Sequence, residues 1–351
     1  MFIDQEDPAF NLTLEILKGC GFSCQDCAID KTLTSDFIQP GDETALIQLV
    51  DDMRDEGYRL HEFTIGPTDI ISSKNGMSVL TSPLVWKLAE RYESMTVSLA
   101  LLMDQDLVSF AEKIDTLMAD KKFRLIIPCT LKNAANPKYV DILRRRIAII
   151  KDNLHLAEFK LVYLTVNMVN ASAENFSFAT NDIIQNLDLG VETLVEYAFP
   201  HSRKDLKNLL VQQDFLRDFK FFTDGMKECK DTNRNRFLIP TLSDSLEATY
   251  HQGELYYTPV LMEKFPIFHE DFIVPRPWYG AGFIERKMDN WDEILMNYSH
   301  HPECGDCCFF QHCARGDVQV IMDHMNHHTC LLDMKNRYDL NPFTNPVRPD
   351  E

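Results

Sequence analysis

The sequence predicts an α/β protein, with a partial (β/α)6 TIM-type barrel over residues 1–225 and a small, irregular α+β domain over residues 226–351. Short β-like runs alternate with longer helical patterns through the first two-thirds of the chain, which is typical of βαβ units around a parallel sheet. Helical periodicity fades from about residue 222, where prolines interrupt a stretch rich in aromatic and charged residues. This second part is expected to begin as an irregular linker or wall.

Six strands are expected in the first part, at residues 11–17, 62–65, 95–102, 123–128, 159–166 and 193–198. Helices are expected at residues 43–56, 83–93, 106–118, 138–154, 179–187 and 204–221, because apolar residues recur there at three-to-four spacing. Right-handed crossovers place the helices outside the strands, so six successive units curl into an open barrel. In the second part, a helical piece is predicted at residues 291–298 and an extended tail at residues 341–349.

Charge and hydropathy exclude several classes of partner. The 351 residues carry 54 acidic and 35 basic side chains, a net charge of −19, and no run of Lys or Arg forms a phosphate-binding stripe. The segment Arg144-Arg145-Arg146 lies in a helical pattern and is expected to be a solvated face. The N-terminus lacks a signal peptide, and no segment has about 18 uninterrupted apolar residues. These features predict a cytoplasmic protein that binds neither membranes nor nucleic acids.

Ten cysteines in such a chain indicate metal or redox chemistry rather than a disulfide framework. Three of them, Cys20, Cys24 and Cys27, directly follow the first predicted strand, at the end where parallel α/β folds gather their chemistry. Three thiolates are one ligand short of a closed site, so a metal or cluster bound there keeps one open coordination position. A structural zinc site is the alternative, although such sites usually use paired Cys-x2-Cys hooks.

The Cys-x3-Cys-x2-Cys spacing resembles the signature of the radical S-adenosylmethionine (radical SAM) superfamily. The resemblance implies a [4Fe-4S] cluster whose fourth iron binds the amino and carboxylate groups of SAM. It also implies a set of SAM-binding residues at the ends of successive strands, which ordinary turn and capping residues would equally resemble. These residues are Phe22, Gln25 (where the family usually has an aromatic residue), Gly66, Thr68, Asp69, Thr130, Asn167 and Asn170.

A second cysteine cluster resembles the SPASM/twitch-like auxiliary domain that follows the barrel in many radical SAM enzymes. Its cysteines are Cys304, Cys307, Cys313 and Cys330, while Asp317 stands where the family pattern has another cysteine. The resemblance implies one auxiliary [4Fe-4S] cluster on these four residues. A mixed Cys/His zinc site is the alternative, because six histidines surround the cluster.

The three remaining thiols are candidate hydrogen-atom donors to a substrate radical, namely Cys129, Cys229 and Cys308. Cys129 ends the fourth predicted strand, and Cys229 follows the barrel. Cys308 adjoins Cys307 and could replace it as a cluster ligand. A buried, inert cysteine is the alternative for each of the three, and the sequence favours it for any single one.

The resemblance implies an enzyme that reductively cleaves SAM to a 5′-deoxyadenosyl radical, which abstracts a hydrogen atom from a substrate. The electron would come from a reductant such as flavodoxin or ferredoxin. A peptide is the expected substrate, bound directly by the barrel and its C-terminal wall because only a short segment precedes the first strand. A sugar or small-molecule epimerase or dehydrogenase is an alternative. Proteins of other classes, a zinc-stabilised binding protein or an iron-sulfur electron carrier, are further alternatives.

Overall fold

The computed structural model describes residues 9–21, 38–66, 68–100, 106–130, 136–167, 193–196, 235–238, 246–256 and 273–279. By its internal contacts the chain divides into two compact units. The first unit comprises residues 1–126, 148–161 and 243–297, and the second comprises residues 127–147, 162–242 and 298–351. The described part contains no helix that is long and apolar enough to cross a membrane.

The described residues form strands and helices that alternate along most of the chain. The strands are β1 (Ala9–Glu15), β2 (Arg59–Gly66), β3 (Ser94–Ser98), β4 (Lys122–Thr130), β5 (Glu158–Asn167), β6 (Thr193–Glu196), β7 (Asn235–Leu238), β8 (Leu246–His251) and β9 (Glu254–Tyr256). The helices are α1 (Asp42–Asp55), α2 (Gly76–Val79), α3 (Pro83–Arg91), α4 (Leu107–Leu117) and α5 (Pro137–Asp152).

The sheet of the first unit has the strand order β4-β3-β2-β1-β8-β9. Strand β1 is its centre and pairs in parallel with β2 on one side and with β8 on the other. The β2–β3 and β3–β4 pairs are also parallel, whereas β9 turns back antiparallel to β8. Because β1, β2, β3 and β8 run the same way, the loops that follow them emerge at one edge of this sheet.

Burial explains why these segments form strands and helices around one core. Phe10, Leu12 and Leu14 alternate along β1 and are fully buried or nearly so, as expected of a strand with one face in the core.

Helix α3 begins with Ser82, whose side chain accepts a hydrogen bond from the Val85 backbone, and with Pro83 in the first turn. Asp106 caps α4 in the same way through the Ser109 backbone.

A buried polar network connects β8, helix α1 and residues 273–279 within the first unit. The Tyr250 hydroxyl donates to Asp42 at 2.9 Å and accepts from the backbone N–H of Gln39 at 3.1 Å. Arg276 donates to the same carboxylate at 2.9 Å, and its guanidinium lies 4.1 Å from the ring centroid of Trp278. Burial, together with the Asp42 charge, raises the pKa of Tyr250 above its ordinary value of 10, so its hydroxyl stays protonated and remains a donor even in alkaline solution.

Asp115 on α4 organises the connection between α5 and β5. Its Oδ1 atom accepts from the backbone N–H groups of His155, Leu156 and Ala157 at 2.7, 2.6 and 2.8 Å. Burial raises the pKa of Asp115, whereas the three hydrogen bonds lower it. The hydrogen bonds together have the larger effect, so the pKa lies below its usual value of 3.8. A carboxyl whose folded pKa is depressed stabilises the fold above its unfolded pKa and loses that contribution as the pH falls.

We therefore expect Asp115→Asn to destabilise the protein by about 1–2 kcal/mol at pH 7, because a charged acceptor of several hydrogen bonds becomes neutral. The difference from the wild type should shrink as the pH falls below about 4. Urea denaturation at pH 7 and pH 3 measures both values. Asp152→Asn, at an exposed position of α5, is the matched control and should change stability at pH 7 by less than about 0.5 kcal/mol. A constant difference at both pH values would contradict the prediction.

In the second unit, β6 pairs in parallel with the end of β5 and with β7. Leu164 of β5 lies opposite Thr193, and Thr193 lies opposite Asn235 of β7. The described part of the chain thus confirms an α/β protein with parallel strands. The predicted domain boundary near residue 225 stays a prediction.

All six predicted strands are confirmed, and so are the predicted helices at residues 43–56, 83–93, 106–118 and 138–154. The other predicted helices, at residues 179–187, 204–221 and 291–298, and the predicted tail lie outside the described residues. The expected irregular linker after residue 222 was wrong in part, since β7, β8 and β9 form there. Strand β8 was missed because its partner β1 lies more than 200 positions earlier in the chain.

Candidate functional site

Two loops meet at the carboxyl edge of the first unit's sheet. We call residues 16–21, which follow β1, the cysteine loop, and residues 68–76, which follow β2, the β2 loop. The carbonyl oxygen of Gly66 begins their association, because it accepts from the backbone N–H groups of Ile16 and Leu17 at 3.0 and 2.9 Å. The end of β2 therefore fixes where the chain leaves β1.

Hydrogen bonds from the β2 loop fasten the cysteine loop along its length. The hydroxyls of Thr68 and Ser73 lie 3.2 and 3.1 Å from the carbonyl oxygen of Gly19, and 2.6 Å from each other. The Asn75 side chain accepts from the Lys18 N–H at 2.7 Å and donates to the Ile16 carbonyl at 2.9 Å. Backbone groups of a loop need such partners when water is excluded, so these side chains stabilise one loop conformation.

Cys20 lies at the end of this fastened segment with a free, half-buried thiol. Its Sγ atom is 3.4 Å from the hydroxyl oxygen of Ser72. A thiol at the carboxyl end of a parallel strand, reachable from outside, has the soft donor chemistry that zinc or an iron-sulfur cluster requires. Cys24 and Cys27 lie outside the described residues, as do Phe22 and Gln25.

Asp69 connects the β2 loop to the end of β3. Its side chain is buried, with the residue 5% exposed, and accepts from the backbone N–H of Ser72 at 2.6 Å and from that of Ala100. The Ile70 N–H also donates to the Ser98 carbonyl at 3.0 Å. Burial raises the pKa of Asp69 although these hydrogen bonds oppose the shift. The suggested role of Asp69 toward a SAM ammonium stays a prediction.

Gly66 and Thr68, the other SAM-binding residues predicted on this side, differ in how much room surrounds them. Gly66 is buried, yet in the part of the chain that the structure describes no atom lies within 4 Å of a Cβ built on it, which leaves a space beside this residue. Thr68 is buried and its hydroxyl contacts the cysteine loop. The geometry gives Gly66 room beside a ligand and gives Thr68 a part in holding the loop.

For three further predicted site residues the structure describes only the backbone, and the others lie outside the described residues. Cys129 and Thr130 are the last residues of β4, and Asn167 is the last residue of β5, so each stands at the carboxyl end of a strand as expected. The predicted residues outside the described ranges are Asn170, Cys229, Cys304, Cys307, Cys308, Cys313 and Cys330. Within the described ranges, no group of three or more His, Cys, Asp or Glu side chains could hold a metal ion.

A buried contact between an acidic and an imidazole side chain at the same edge escaped the sequence analysis. Glu15 ends β1 and His251 ends β8, with Oε2 and Nδ1 3.0 Å apart and side chains 0% and 4% exposed. The pair lies directly across the β1–β8 register, five residues before Cys20. Ser72, Ser73 and Asn75 were missed as well, because polar residues after a strand look like ordinary turn residues in sequence.

Known proteins resemble this chain in structure rather than in sequence. No protein-family model matches the sequence, and no curated protein sequence matches it significantly. A solved structure of histidine-tagged anSMEcpe with bound AdoMet superposes with a TM-score of 0.55 at 11% identity, covering 95% of this chain and 97% of that one. "Native anSMEcpe with bound AdoMet and Cp18Cys peptide" gives 0.55 at 12% identity, covering 88% of each chain.

A further solved structure, coproporphyrinogen III oxidase (HemN) from Escherichia coli, described as a radical SAM enzyme, superposes with a TM-score of only 0.40 at 11% identity. The likeness to the anSMEcpe structures shows that this chain shares their fold.

Proposed function

We propose that this protein is a radical SAM enzyme that binds a [4Fe-4S] cluster through Cys20, Cys24 and Cys27 and uses it with SAM. The observation that carries the proposal is the position of Cys20, whose half-buried thiol follows β1 in a loop fastened to the end of β2. A shared fold with structures that hold AdoMet supports it. The Cys-x3-Cys-x2-Cys spacing supplies the other two ligands.

The donor chemistry of the described residues fits such a cluster. Cys20 offers a soft sulfur ligand at a sheet edge, and the three-cysteine spacing leaves one coordination position open. When bound, the cluster supplies one electron for reductive cleavage of SAM to methionine and a 5′-deoxyadenosyl radical, which abstracts a hydrogen atom from substrate.

The protein's own residues provide position. The β2 loop fixes residues 16–19, which lead into Cys20, so this part of the chain loses little conformational entropy when a ligand binds. The space beside Gly66 would let SAM approach the backbone at the end of β2. Thr130 at the end of β4 and Asn167 at the end of β5 would contribute polar groups, and Asn170 is a further candidate.

The finer architecture is part of the same proposal. We propose that the parallel strands curl into a partial (β/α)6 barrel and that the C-terminal part is a SPASM-like domain. Cys304, Cys307, Cys313 and Cys330 would hold one auxiliary [4Fe-4S] cluster there. Four cysteine ligands leave that cluster no free iron, which favours electron relay or a bracing role over substrate binding.

A peptide is the substrate class we propose, modified by a maturase or epimerase type of reaction. The fold is shared with anSMEcpe, of which one structure holds a peptide together with AdoMet. Of the candidate hydrogen-atom donors we propose Cys129, whose backbone lies at the carboxyl end of β4. A flavodoxin or ferredoxin would supply the electron.

Anaerobic reconstitution tests the proposal most directly. The wild-type protein should become brown, absorb near 400 nm and contain about eight iron and eight sulfide per chain if both clusters form. With dithionite and SAM it should produce 5′-deoxyadenosine, measured by liquid chromatography. Colourless protein that contains only zinc would indicate the binding protein, and clusters without SAM cleavage would indicate the electron carrier. About four iron with SAM cleavage would restrict the proposal to the first cluster.

A further inference from the structure

Ser72 is the residue of the β2 loop whose side chain reaches the sulfur of Cys20, at 3.4 Å between Oγ and Sγ. This separation suits a hydrogen bond to sulfur, which is longer than one to oxygen. The same hydroxyl lies 3.5 Å from the carbonyl oxygen of Asp69, beyond the 2.5–3.0 Å usual for an O–H···O bond. A hydroxyl has one proton to donate, and of the two acceptors at 3.4 and 3.5 Å the sulfur is the better placed. The Ser72 side chain also lowers the pKa of the Asp69 carboxyl, so that carboxylate is a further acceptor that competes for the same proton.

Ligand binding determines the direction of this hydrogen bond. A cysteine that coordinates iron is a thiolate and has no proton, so it can only accept. We propose that Ser72 is a positioning residue that donates a hydrogen bond to the Cys20 thiolate and thereby raises the reduction potential of the cluster. This inference rests on the proposed function and assigns Ser72 a part in it.

The loop holds the Ser72 hydroxyl in place through bonds that do not involve Cys20. The Ser72 N–H donates to Asp69 Oδ1 at 2.6 Å, and Asp69 is itself bound to the backbone of Ala100 after β3. The Ser73 hydroxyl lies 2.5 Å from the carbonyl oxygen of Asp69, which fixes the next residue as well. Because strand β3 anchors the turn, the hydroxyl is presented to Cys20 without a rearrangement when the cluster binds.

The physical effect follows from charge. Reducing a cluster adds an electron that spreads over its sulfur atoms, and a hydrogen bond to a ligand sulfur stabilises the more negative, reduced state. The Ser72 hydroxyl should therefore make the cluster easier to reduce. Without this hydroxyl, the same reductant would reduce the cluster in a smaller fraction of the enzyme molecules.

The test is Ser72→Ala, studied in the full-length, reconstituted protein by a redox titration monitored by electron paramagnetic resonance. The signal followed is the one that changes when SAM is added, which separates the first cluster from an auxiliary one. We expect a midpoint potential more negative than that of the wild type with unchanged iron content. Ser72→Thr keeps a hydroxyl and should keep the potential. Ser78→Ala is the matched control, because its hydroxyl donates to the Asn75 carbonyl at 2.7 Å, within its own turn.

Each outcome decides the inference. An unchanged potential in Ser72→Ala would overturn it and leave the proposed function standing. Loss of iron from both Ser72→Ala and Ser72→Gly, with iron retained in Ser78→Ala, would also overturn it, because the hydroxyl would then be needed for cluster binding. A wild type without any cluster would overturn both proposals. A wild type with the cluster but without SAM cleavage would refute only the proposed function, and the potential of Ser72→Ala would still decide the role of Ser72.

Discussion

Replacing Cys20, Cys24 and Cys27 together with Ala is expected to abolish 5′-deoxyadenosine formation and to remove about four iron per chain, the content of one cubane cluster. The physical reason is that the triple variant removes all three thiolates that the spacing offers as ligands. The side chain that the structure records in contact with the Cys20 sulfur is the Ser72 hydroxyl, a hard oxygen donor that replaces a thiolate on iron poorly. The expected loss is complete rather than partial.

Iron analysis and chromatography of the reaction mixture measure the two quantities. Far-ultraviolet circular dichroism should match that of the cluster-free wild type, because the hydrogen bonds of the cysteine loop come from its backbone and do not need the thiol. SAM cleavage that persists in the triple variant would refute the assignment of the first cluster. Iron that falls by about four while the remaining iron stays would support a second cluster elsewhere in the chain.

Gly76→Ala is the substitution expected to cost most stability. A Cβ at this position would lie 1.6 Å from the carbonyl oxygen of Ile70 and 2.6 Å from its carbonyl carbon. Both atoms belong to backbone, so no side-chain rotation relieves the clash and the β2 loop must move. We expect a loss of about 3 kcal/mol in the free energy of unfolding, at the upper end of overpacking costs.

The same displacement should impair the candidate site, because the moved segment includes Ser72, Ser73 and Asn75, which contact the cysteine loop. Denaturant titration and iron content after reconstitution measure the two effects. Gly66→Ala is the matched control for stability. A Cβ there meets no described atom within 4 Å, and we expect a change of less than about 1 kcal/mol. Equal stability of the two variants would contradict the proposed packing of the loop.

The elements that were predicted well are those whose signal is local. Helix α4 combines a capping Asp106 with apolar residues at three-to-four spacing, and β1 alternates buried and less buried side chains. The β8 segment also contains apolar residues, but prolines and charged residues flank it in the sequence. Only its parallel pairing with β1 makes it a central strand. Pairing across such a separation leaves no trace in a short sequence window.

For the candidate site, too, some features could be predicted from the sequence and others could not. The spacing of Cys20, Cys24 and Cys27 is visible in sequence, because ligands of one metal centre on one loop must be close along the chain. The contact between Ser72 and Cys20 joins residues 52 positions apart. The Glu15–His251 pair joins two strand ends that are neighbours only in the folded sheet.

Local sequence patterns were enough to predict the α/β class, the order of the first six strands along the chain and the cysteine triplet after the first of them. These features depend on periodicity and spacing, which are visible in every short segment of the chain. Three further features became visible only in the fold: the loop after β2 holds the cysteine loop, Gly76 must lack a side chain, and the Ser72 hydroxyl reaches the Cys20 sulfur. These contacts depend on which strands lie side by side in the sheet. Packing of the whole fold determines that arrangement, so a short sequence segment does not show it.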